Sequence, residues 1–321
     1  MNTVPQPLEI LLLTNFSDYC FRVIPALAQL ADEVPVSLTM LHTYDPRCSS
    51  GRQAREALDS FFPEADRYAS CRRVVAAGAL LGAVQRQISV DRAHLIVAPS
   101  SDPIGMPRIG DRSLRAQLIE ASGVPLWTMG RGVSAETLAR PVRQLACWLD
   151  FRDDHCRHLP YAIAMAERLG ATLHLLHGLP PIDEGLLAPS GRADRALHPD
   201  RARDEIARLA AGTSAQVEIH VAQGDGHGTL KRLLRECRAD LVFLRNDEGL
   251  VSRWFGLGLG LRLGDGAPCP AVYISDRPTV PVWRFGTARV PAPRRRAMTA
   301  PGHRAARSAV PLDDLATVGL A

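Results

Sequence analysis

The sequence contains no apolar run of the ~18 residues needed to span a bilayer, which excludes an integral membrane protein. It has no CxxC pair, and its seven cysteines are an odd number, so reduced thiols are favoured over a disulfide framework. No basic residue precedes the short N-terminal apolar run, and no small-residue cleavage site follows it, so we interpret this run as a buried strand and not as a signal peptide. We therefore expect a cytoplasmic protein without a membrane partner.

Lysine is almost absent as well, because Lys231 is the only one and arginine carries the remaining positive charge. The net charge of the chain is +4, and residues 279–321 contain seven arginines and two aspartates, which leaves residues 1–278 at −1. A nearly neutral body gives no electrostatic reason to expect nucleic acid. Residues 278–321 hold prolines and arginines without a periodic apolar pattern, so we predict a disordered tail. The alternative is an arm that binds an unknown protein partner.

The part of the sequence that ends with the second apolar run is present twice. The segment IPALAQLADEVPVSLTMLH (24–42) aligns without a gap with LPYAIAMAERLGATLHLLH (159–177), at an offset of 135 residues. This alignment pairs His42 with His177. Self-similarity at a fixed offset indicates a duplicated structural unit.

The repeat continues further along the chain at a second offset. The segment VVAAGALLGAVQRQISVDRAHLIVAP (74–99) aligns with HVAQGDGHGTLKRLLRECRADLVFLR (220–245) at an offset of 146 residues, which pairs Gly78 with Gly224. The change of 11 residues falls in one place, after Pro181, where the second copy has a longer loop and helix. One duplicated unit explains this pattern better than two unrelated domains.

Each copy alternates short apolar runs of strand length with segments of helical apolar spacing. We predict five strands in each copy, at 8–13, 36–41, 74–77, 94–98 and 126–129, and at 145–149, 171–176, 217–222, 241–244 and 271–274. This alternation predicts an α/β fold of two tandem five-stranded, mainly parallel, doubly wound sheets flanked by helices. The predicted domains are 1–133 and 141–277, with ligands bound at the carboxyl ends of the strands.

A proline stands inside the first predicted helix of each copy, at Pro25 and Pro160. Because an interior proline costs a helix about 3 kcal/mol, we expect these helices to start late or to kink. The interruption falls at equivalent positions of the two copies.

Four segments, each present in both copies, resemble the universal stress protein family in its tandem two-domain form. They are TNFSD (14–18) and WLDFRDD (148–154), LTMLH (38–42) and LHLLH (173–177), AHLIVAP (93–99) and ADLVFLR (239–245), and SGVPLWTM (122–129) and APCPAVYI (267–274). The resemblance covers about residues 8–130 and 142–276. It implies a fold like that of the adenine-nucleotide alpha hydrolases, a role in survival under stress, and an intramolecular pseudo-dimer in which the two final strands pair. A further homo-oligomer is left open.

The ATP-binding members of that family carry glycines after strand four and a Gly-Ser or Gly-Thr pair at the next helix, where backbone N–H groups meet the phosphates. In this sequence Pro99 and Asp102 take the two glycine positions of the first copy, and Arg245 and Glu248 take those of the second. Proline lacks a donor, and a carboxylate repels phosphate. The resemblance therefore implies that ATP binding is weak or lost.

Some positions of the pattern remain as candidates for contacts to an adenine nucleotide. In the first copy Ser113 is kept from the Gly-Ser pair, and Asn15 replaces the usual acid. In the second copy the candidates are Asp150, His177, Gly224, Gly249, Gly256 and Gly258. If one copy still binds ATP, we expect the second, because an acid and a glycine-rich helix start remain there.

Residues 150–158 crowd acids, histidines and a cysteine together, and these are suitable metal ligands. We interpret the segment as a helix start instead, because acids there offset the helix dipole and consecutive residues point in different directions. No metal is expected. His42 and His177 are interpreted as packed, hydrogen-bonded residues at strand ends.

The sequence has no G-x-S-x-G elbow, no Walker lysine motif and no H-E-x-x-H, so no catalytic residue is identified. We hypothesise a stress-response module that binds or regulates and does not catalyse. The alternative is an ATP-binding protein with slow hydrolysis or phosphate transfer in the second copy. A third hypothesis is a carrier of flavin or another cofactor.

Overall fold

The computed structural model describes residues 7–68, 70–98, 114–130, 133–149, 156–179, 198–224, 226–246 and 267–283. The elements within these ranges belong to one compact unit. The strands are β1 (Leu8–Leu13), β2 (Val36–Tyr44), β3 (Ser70–Ala77), β4 (Leu95–Val97), β5 (Leu126–Thr128), β6 (Gln144–Trp148), β7 (Thr172–Leu179), β8 (Val217–Gln223), β9 (Leu241–Arg245) and β10 (Ala271–Ile274). The α-helices are α1 (Asp18–Glu33), α2 (Gly51–Ser60), α3 (Leu80–Asp91), α4 (Leu114–Ser122), α5 (Ala135–Leu138), α6 (Leu159–Leu169), α7 (Pro199–Leu209) and α8 (Gly226–Glu236).

The strands form one sheet in the order β3-β2-β1-β4-β5-β10-β9-β6-β7-β8. Neighbouring strands within each half are parallel, with Leu8 opposite Val36 in the first half and Leu145 opposite Leu173 in the second. The strand order reverses beside the first strand of each half, between β1 and β4 and between β6 and β9. Sheets of this kind bind ligands at the carboxyl ends of the strands at such a reversal.

An antiparallel pair joins the two halves, because β5 runs against β10 with Thr128 opposite Ala271 and Leu126 opposite Tyr273. These are the final strands of the two sequence copies. The predicted α/β class with a mainly parallel arrangement is confirmed. The two predicted five-stranded sheets are, however, the halves of a single ten-stranded sheet, because β5 and β10 continue the hydrogen bonding from one half to the other.

Helices cover both faces of the sheet, and this explains why the strands read as nearly continuous apolar runs. In β1, Ile10 and Leu12 lie in one buried cluster, and Leu11 and Leu13 lie in the other. Helices α1 and α6 contribute to the first cluster, and α3 and α8 contribute to the second. Within the described ranges, none of the helices has the length and apolar character needed to cross a bilayer.

The two helix prolines have different positions in the two halves. Helix α6 begins at Leu159 with Pro160 in its first turn, which is the expected late start. Helix α1 already begins at Asp18 and contains Pro25 in its interior, so the late start does not occur there. Pro25 has no N–H to donate to the carbonyl oxygen of Phe21, four residues earlier. Because Pro25 and Phe21 are both exposed, this carbonyl lies on the solvent side of the helix.

Residues 278–283, which the sequence pattern placed in the tail, are packed against the rest of the fold. Trp283 is 6% exposed, and its ring centroid lies 5.4 Å from that of Tyr161. The indole Nε1–H donates to the carbonyl oxygen of His94 at 3.2 Å. These residues therefore belong to the folded unit, and the predicted tail beyond them lies outside the described residues.

Candidate functional site

The carboxyl ends of the strands at the two order reversals are the candidate ligand sites. The residues that follow β1 are described, whereas residues 99–113, 150–155 and 247–266, which follow β4, β6 and β9, are not. Five of the predicted site residues therefore lie outside the described residues, namely Ser113, Asp150, Gly249, Gly256 and Gly258. The remaining three, Asn15, His177 and Gly224, have defined surroundings.

Asn15 is exposed just after β1, and its side chain forms a turn immediately before the next helix. Its Oδ1 accepts a hydrogen bond from the backbone N–H of Ser17 at 3.1 Å and another from the thiol of Cys20 at 3.2 Å. An asparagine that bonds the backbone two residues further on forms an Asx turn. The carboxamide oxygen is thus used in the turn before α1, at the position where the resemblance implied a nucleotide contact.

Phe16 follows with a left-handed backbone, at a φ of 62°, which is uncommon for a residue other than glycine. Its ring lies over the end of β2, with the ring centroid 4.3 Å from that of His42 and 5.7 Å from that of Phe61. Phe61 is itself 2% exposed. Phe16, His42 and Phe61 form an aromatic cluster that covers the ends of β1 and β2.

The two strand-end histidines make the same contact in the two halves. Nδ1 of His42 lies 2.9 Å from the carbonyl oxygen of Thr14, and Nδ1 of His177 lies 2.8 Å from that of Leu149. A carbonyl oxygen can only accept, so Nδ1 is the donor in each ring. The prediction of packed, hydrogen-bonded histidines at the strand ends is confirmed.

An indole ring covers the corresponding strand ends of the second half. A Cβ atom placed on Gly178 would lie 2.6 Å from a ring carbon of Trp148, so the indole lies directly against the backbone at this glycine. His158 is 2% exposed, and its Nε2 lies 2.7 Å from the carbonyl oxygen of Trp148. His158 also immediately precedes α6, so the described end of the 150–158 segment is a helix start, as predicted.

Gly224 follows β8 with a φ of 142°, and its N–H donates to the carbonyl oxygen of Leu179 at 3.0 Å. The equivalent Gly78 also has a positive φ, of 96°, and donates to Tyr44 at 3.0 Å. Helix α8 begins at Gly226, immediately after this turn. Gly224 is therefore required by the turn from strand to helix, whatever the site binds.

Arg245 stands at the end of β9, where the family pattern implied a glycine. Its Nε donates to Oδ1 of Asp276 at 2.5 Å, and its side chain is only 17% exposed. Arg157 approaches the same residue, because its Nη1 donates to the carbonyl oxygen of Asp276 at 2.9 Å. Two guanidinium groups thus lie beside this strand end, both bonded to Asp276.

Sequence reasoning missed the two aromatic rings that cover the strand ends, Phe16 and Trp148, and the acid that pairs with Arg245. Trp148 is the last residue of β6, and Phe16 lies three residues after the end of β1. Their positions at the end of the first strand of each half were the sequence feature that could have identified them. Asp276 gave no such signal, because it follows β10 and meets Arg245 through the pairing of β9 with β10. The polar side chains of Asn15, His42, His177 and Arg245 are thus hydrogen-bonded within the protein.

Comparisons with known proteins connect part of the chain with a family and the fold with solved structures. No curated protein sequence matches the chain at a significant level. Residues 146–273 match the model of the universal stress protein family. The structure is similar to that of a universal stress protein from Archaeoglobus fulgidus, with a TM-score of 0.62 and 16% identity, over 84% of this chain and 99% of that chain. It is also similar to a functionally unknown protein from Pseudomonas aeruginosa, with a TM-score of 0.55 and 14% identity, over 84% of this chain and 92% of that chain.

At these identities the structural likeness is one of fold, an α/β sheet that is mostly parallel and flanked by helices. The family match is carried by the sequence of the second half, from within β6 to within β10. Residues 146–273 are therefore a domain of the universal stress protein family.

Proposed function

We propose that the protein is a tandem universal stress protein that acts in a stress response as a non-catalytic binding or regulatory module. The family match covers the second half, and the first half has the same strand order. In this proposal nucleotide binding is weak or lost in both halves, and the regulated partner is a protein.

One observation carries the proposal: four polar side chains at the strand ends, those of Asn15, His42, His177 and Arg245, are already bonded within the protein. The oxygen of Asn15 accepts from the N–H of Ser17, and Nδ1 of each strand-end histidine, His42 and His177, donates to a backbone carbonyl. Arg245 is paired with Asp276. A ribose or phosphate group that used these side chains would first have to break bonds worth about 0.5–1.5 kcal/mol each.

The aromatic rings at the strand ends support the same proposal. In the first half the ring of Phe16 lies on His42, and in the second half the indole of Trp148 lies against Gly178. A purine base that packed on the backbone at either position would have to displace a ring that is already packed there. Displacement costs the apolar burial of that ring, which offsets the gain from the base.

Calorimetric titration of the purified full-length chain with Mg-ATP tests the proposal, together with native mass spectrometry of the freshly purified protein. We expect no saturable heat and no co-purified nucleotide. A micromolar dissociation constant that is lost in Asp150→Ala would overturn the claim of weak or lost binding. Steady ATP hydrolysis that is lost in Asp150→Asn would overturn the claim that the protein is non-catalytic.

A second candidate function is ATP binding in the second half, with slow hydrolysis or phosphate transfer. The observation that favours it is the pair of guanidinium groups, Arg157 and Arg245, beside the end of β9. Guanidinium groups bind phosphate through charge-assisted hydrogen bonds. If this candidate is right, the substitution Arg245→Gln weakens ATP binding, while Arg232→Gln, an exposed arginine on α8, leaves it unchanged.

A further inference from the structure

Three side chains with metal-binding atoms lie together on β7 and β8, apart from the strand ends. His174 stands opposite Glu218 in the strand pairing, and His220 is two residues further on, so the three side chains share one face of the sheet. Nδ1 of His174 lies 3.0 Å from Nε2 of His220 and 3.4 Å from Oε2 of Glu218. Nε2 of His220 lies 3.8 Å from the same carboxylate oxygen.

A neighbouring strand fixes the orientation of the buried histidine. Nε2 of His174 lies 2.6 Å from Oε1 of Gln144 on β6. The amide oxygen accepts, so Nε2 carries the ring proton and the lone pair of Nδ1 is directed at His220 and Glu218. Histidines that bind metals commonly donate their second ring nitrogen to an oxygen acceptor in this way, and the acceptor sets the tautomer.

The spacing of the three donor atoms matches a tetrahedral metal ion. Bonds of 2.0–2.1 Å from zinc to nitrogen or oxygen place neighbouring ligand atoms about 3.3–3.4 Å apart. The three separations here are 3.0, 3.4 and 3.8 Å, so small side-chain movements bring them to that value. Two imidazoles and one carboxylate are a ligand set used by zinc.

The fold itself does not require this cluster. In the first half the equivalent positions hold Thr39, Arg72 and Val74, and the strand pairing puts Thr39 opposite Arg72 just as it puts His174 opposite its acid. Arg72 pairs with Asp91 of α3. Two copies of one fold therefore differ here, and only one of these two sets of positions holds metal-binding atoms.

Burial and access both suit an ion. The side chain of His174 is 5% exposed, whereas those of Glu218 and His220 are 48% and 30% exposed, and β8 is an edge strand of the sheet. An ion can therefore reach the cluster from solvent.

We propose that His174, Glu218 and His220 form a binding site for a divalent transition-metal ion of the zinc class, with Gln144 as a positioning residue. In the metal-free protein Nε2–H of His220 donates to Nδ1 of His174. Binding requires His220 to carry its proton on Nδ1 instead, which frees Nε2 as a ligand without a change in charge. A fourth coordination position is left for water or another small ligand. The site does not depend on the proposed function.

The test uses the full-length chain without a histidine tag, stripped with a chelator and titrated with Zn²⁺ by calorimetry and with Co²⁺ by visible absorption. We expect one-to-one binding and the intense absorption bands of tetrahedral cobalt. The substitutions Glu218→Gln and His220→Ala should abolish one-to-one binding. Gln144→Ala should weaken it by about 10- to 100-fold, because it removes the group that orients a ligand.

Matched variants separate this site from the crowded segment at 150–158. His198→Ala, an exposed histidine at the start of α7, should bind both ions like the wild type. Circular dichroism and the thermal midpoint of each chelated variant report whether it is folded. The proposal is overturned if the folded wild type binds neither ion one-to-one, if binding survives in both Glu218→Gln and His220→Ala, or if it is lost only on His155→Ala or Cys156→Ala.

Discussion

The carbonyl oxygen of Leu149 accepts a hydrogen bond from Nδ1 of His177 at 2.8 Å, and this bond ties the end of β6 to the end of β7. The backbone makes the same connection, since the N–H of Leu149 donates to Leu176 at 2.8 Å. In the first half His42 and Thr14 repeat the side-chain bond. These histidines hold the ends of neighbouring strands together, which explains their equivalent positions in the two copies.

The substitution His177→Ala should lower the free energy of unfolding by about 1–3 kcal/mol, because it leaves a buried carbonyl without its donor. His177→Asn should cost less, since the amide NH₂ can take the place of Nδ1 as donor. The measurement is urea denaturation at neutral pH. Equal losses in the two variants would contradict a role for the hydrogen bond.

Gly224 and Gly78 provide a matched pair for the turn between strand and helix. Both have a positive φ, so alanine at either position brings backbone strain of about 1–3 kcal/mol. A Cβ at Gly224 would also lie 2.6 Å from Oγ1 of Thr229, whereas nothing lies within 4 Å of a Cβ at Gly78. We expect Gly224→Ala to be the more destabilising substitution by urea denaturation, and the double variant Gly224→Ala with Thr229→Ala to recover part of the difference.

Trp283 connects parts of the chain that are far apart in sequence. Its ring lies 5.4 Å from Tyr161 and 6.3 Å from Phe243, between centroids, and its Nε1–H reaches His94 in the first half. Trp283→Ala should lower the free energy of unfolding by about 3–5 kcal/mol, because it removes a buried aromatic ring. Val90→Ala is the control, since Val90 is 68% exposed and its truncation should cost no more than about 0.5 kcal/mol. Equal effects of the two variants in urea denaturation would place Trp283 outside the folded unit.

The strands were the part of the fold that the sequence predicted well, because most of them are short apolar runs, and the inner strands are buried on both faces. β1 and β10 begin and end where they were expected, at Leu8–Leu13 and Ala271–Ile274. β3 begins at Ser70, four residues earlier than expected, because Arg72 and Arg73 interrupt its apolar run. Strand pairing made these residues part of the sheet despite their polarity.

The candidate site was less predictable, because its contacts depend on backbone conformation and on strand pairing. Nothing in the sequence indicated that Phe16 has a left-handed backbone that brings its ring onto His42. The cluster of His174, Glu218 and His220 was missed for a related reason: the two histidines are 46 residues apart along the chain, and the cluster forms through the register of β7 and β8. A comparison of the histidines and acids that share one face of two neighbouring predicted strands would have identified the cluster.

His94 directly precedes β4 in the first half and links stability to pH. Its Nδ1 accepts a hydrogen bond from the N–H of Glu9 at 3.2 Å, so the folded protein requires this nitrogen to be unprotonated. Burial lowers the pKa of His94 from its ordinary value of 6.5, although the charge of Glu9 opposes the shift. The unfolded chain therefore binds a proton at a higher pH than the folded chain does.

It follows that the contribution of His94 to stability is complete above about pH 6.5 and is lost progressively as the pH falls from that value toward the lower folded-state pKa. His94→Gln cannot titrate, and its amide oxygen can still accept from Glu9, so its free energy of unfolding should fall less between pH 7 and pH 5 than that of the wild type. The exposed substitution His198→Gln should leave the wild-type slope unchanged. Urea denaturation at several pH values, with a chelator present, measures the slopes, and identical slopes for wild type and His94→Gln would show that this histidine does not couple folding to protonation.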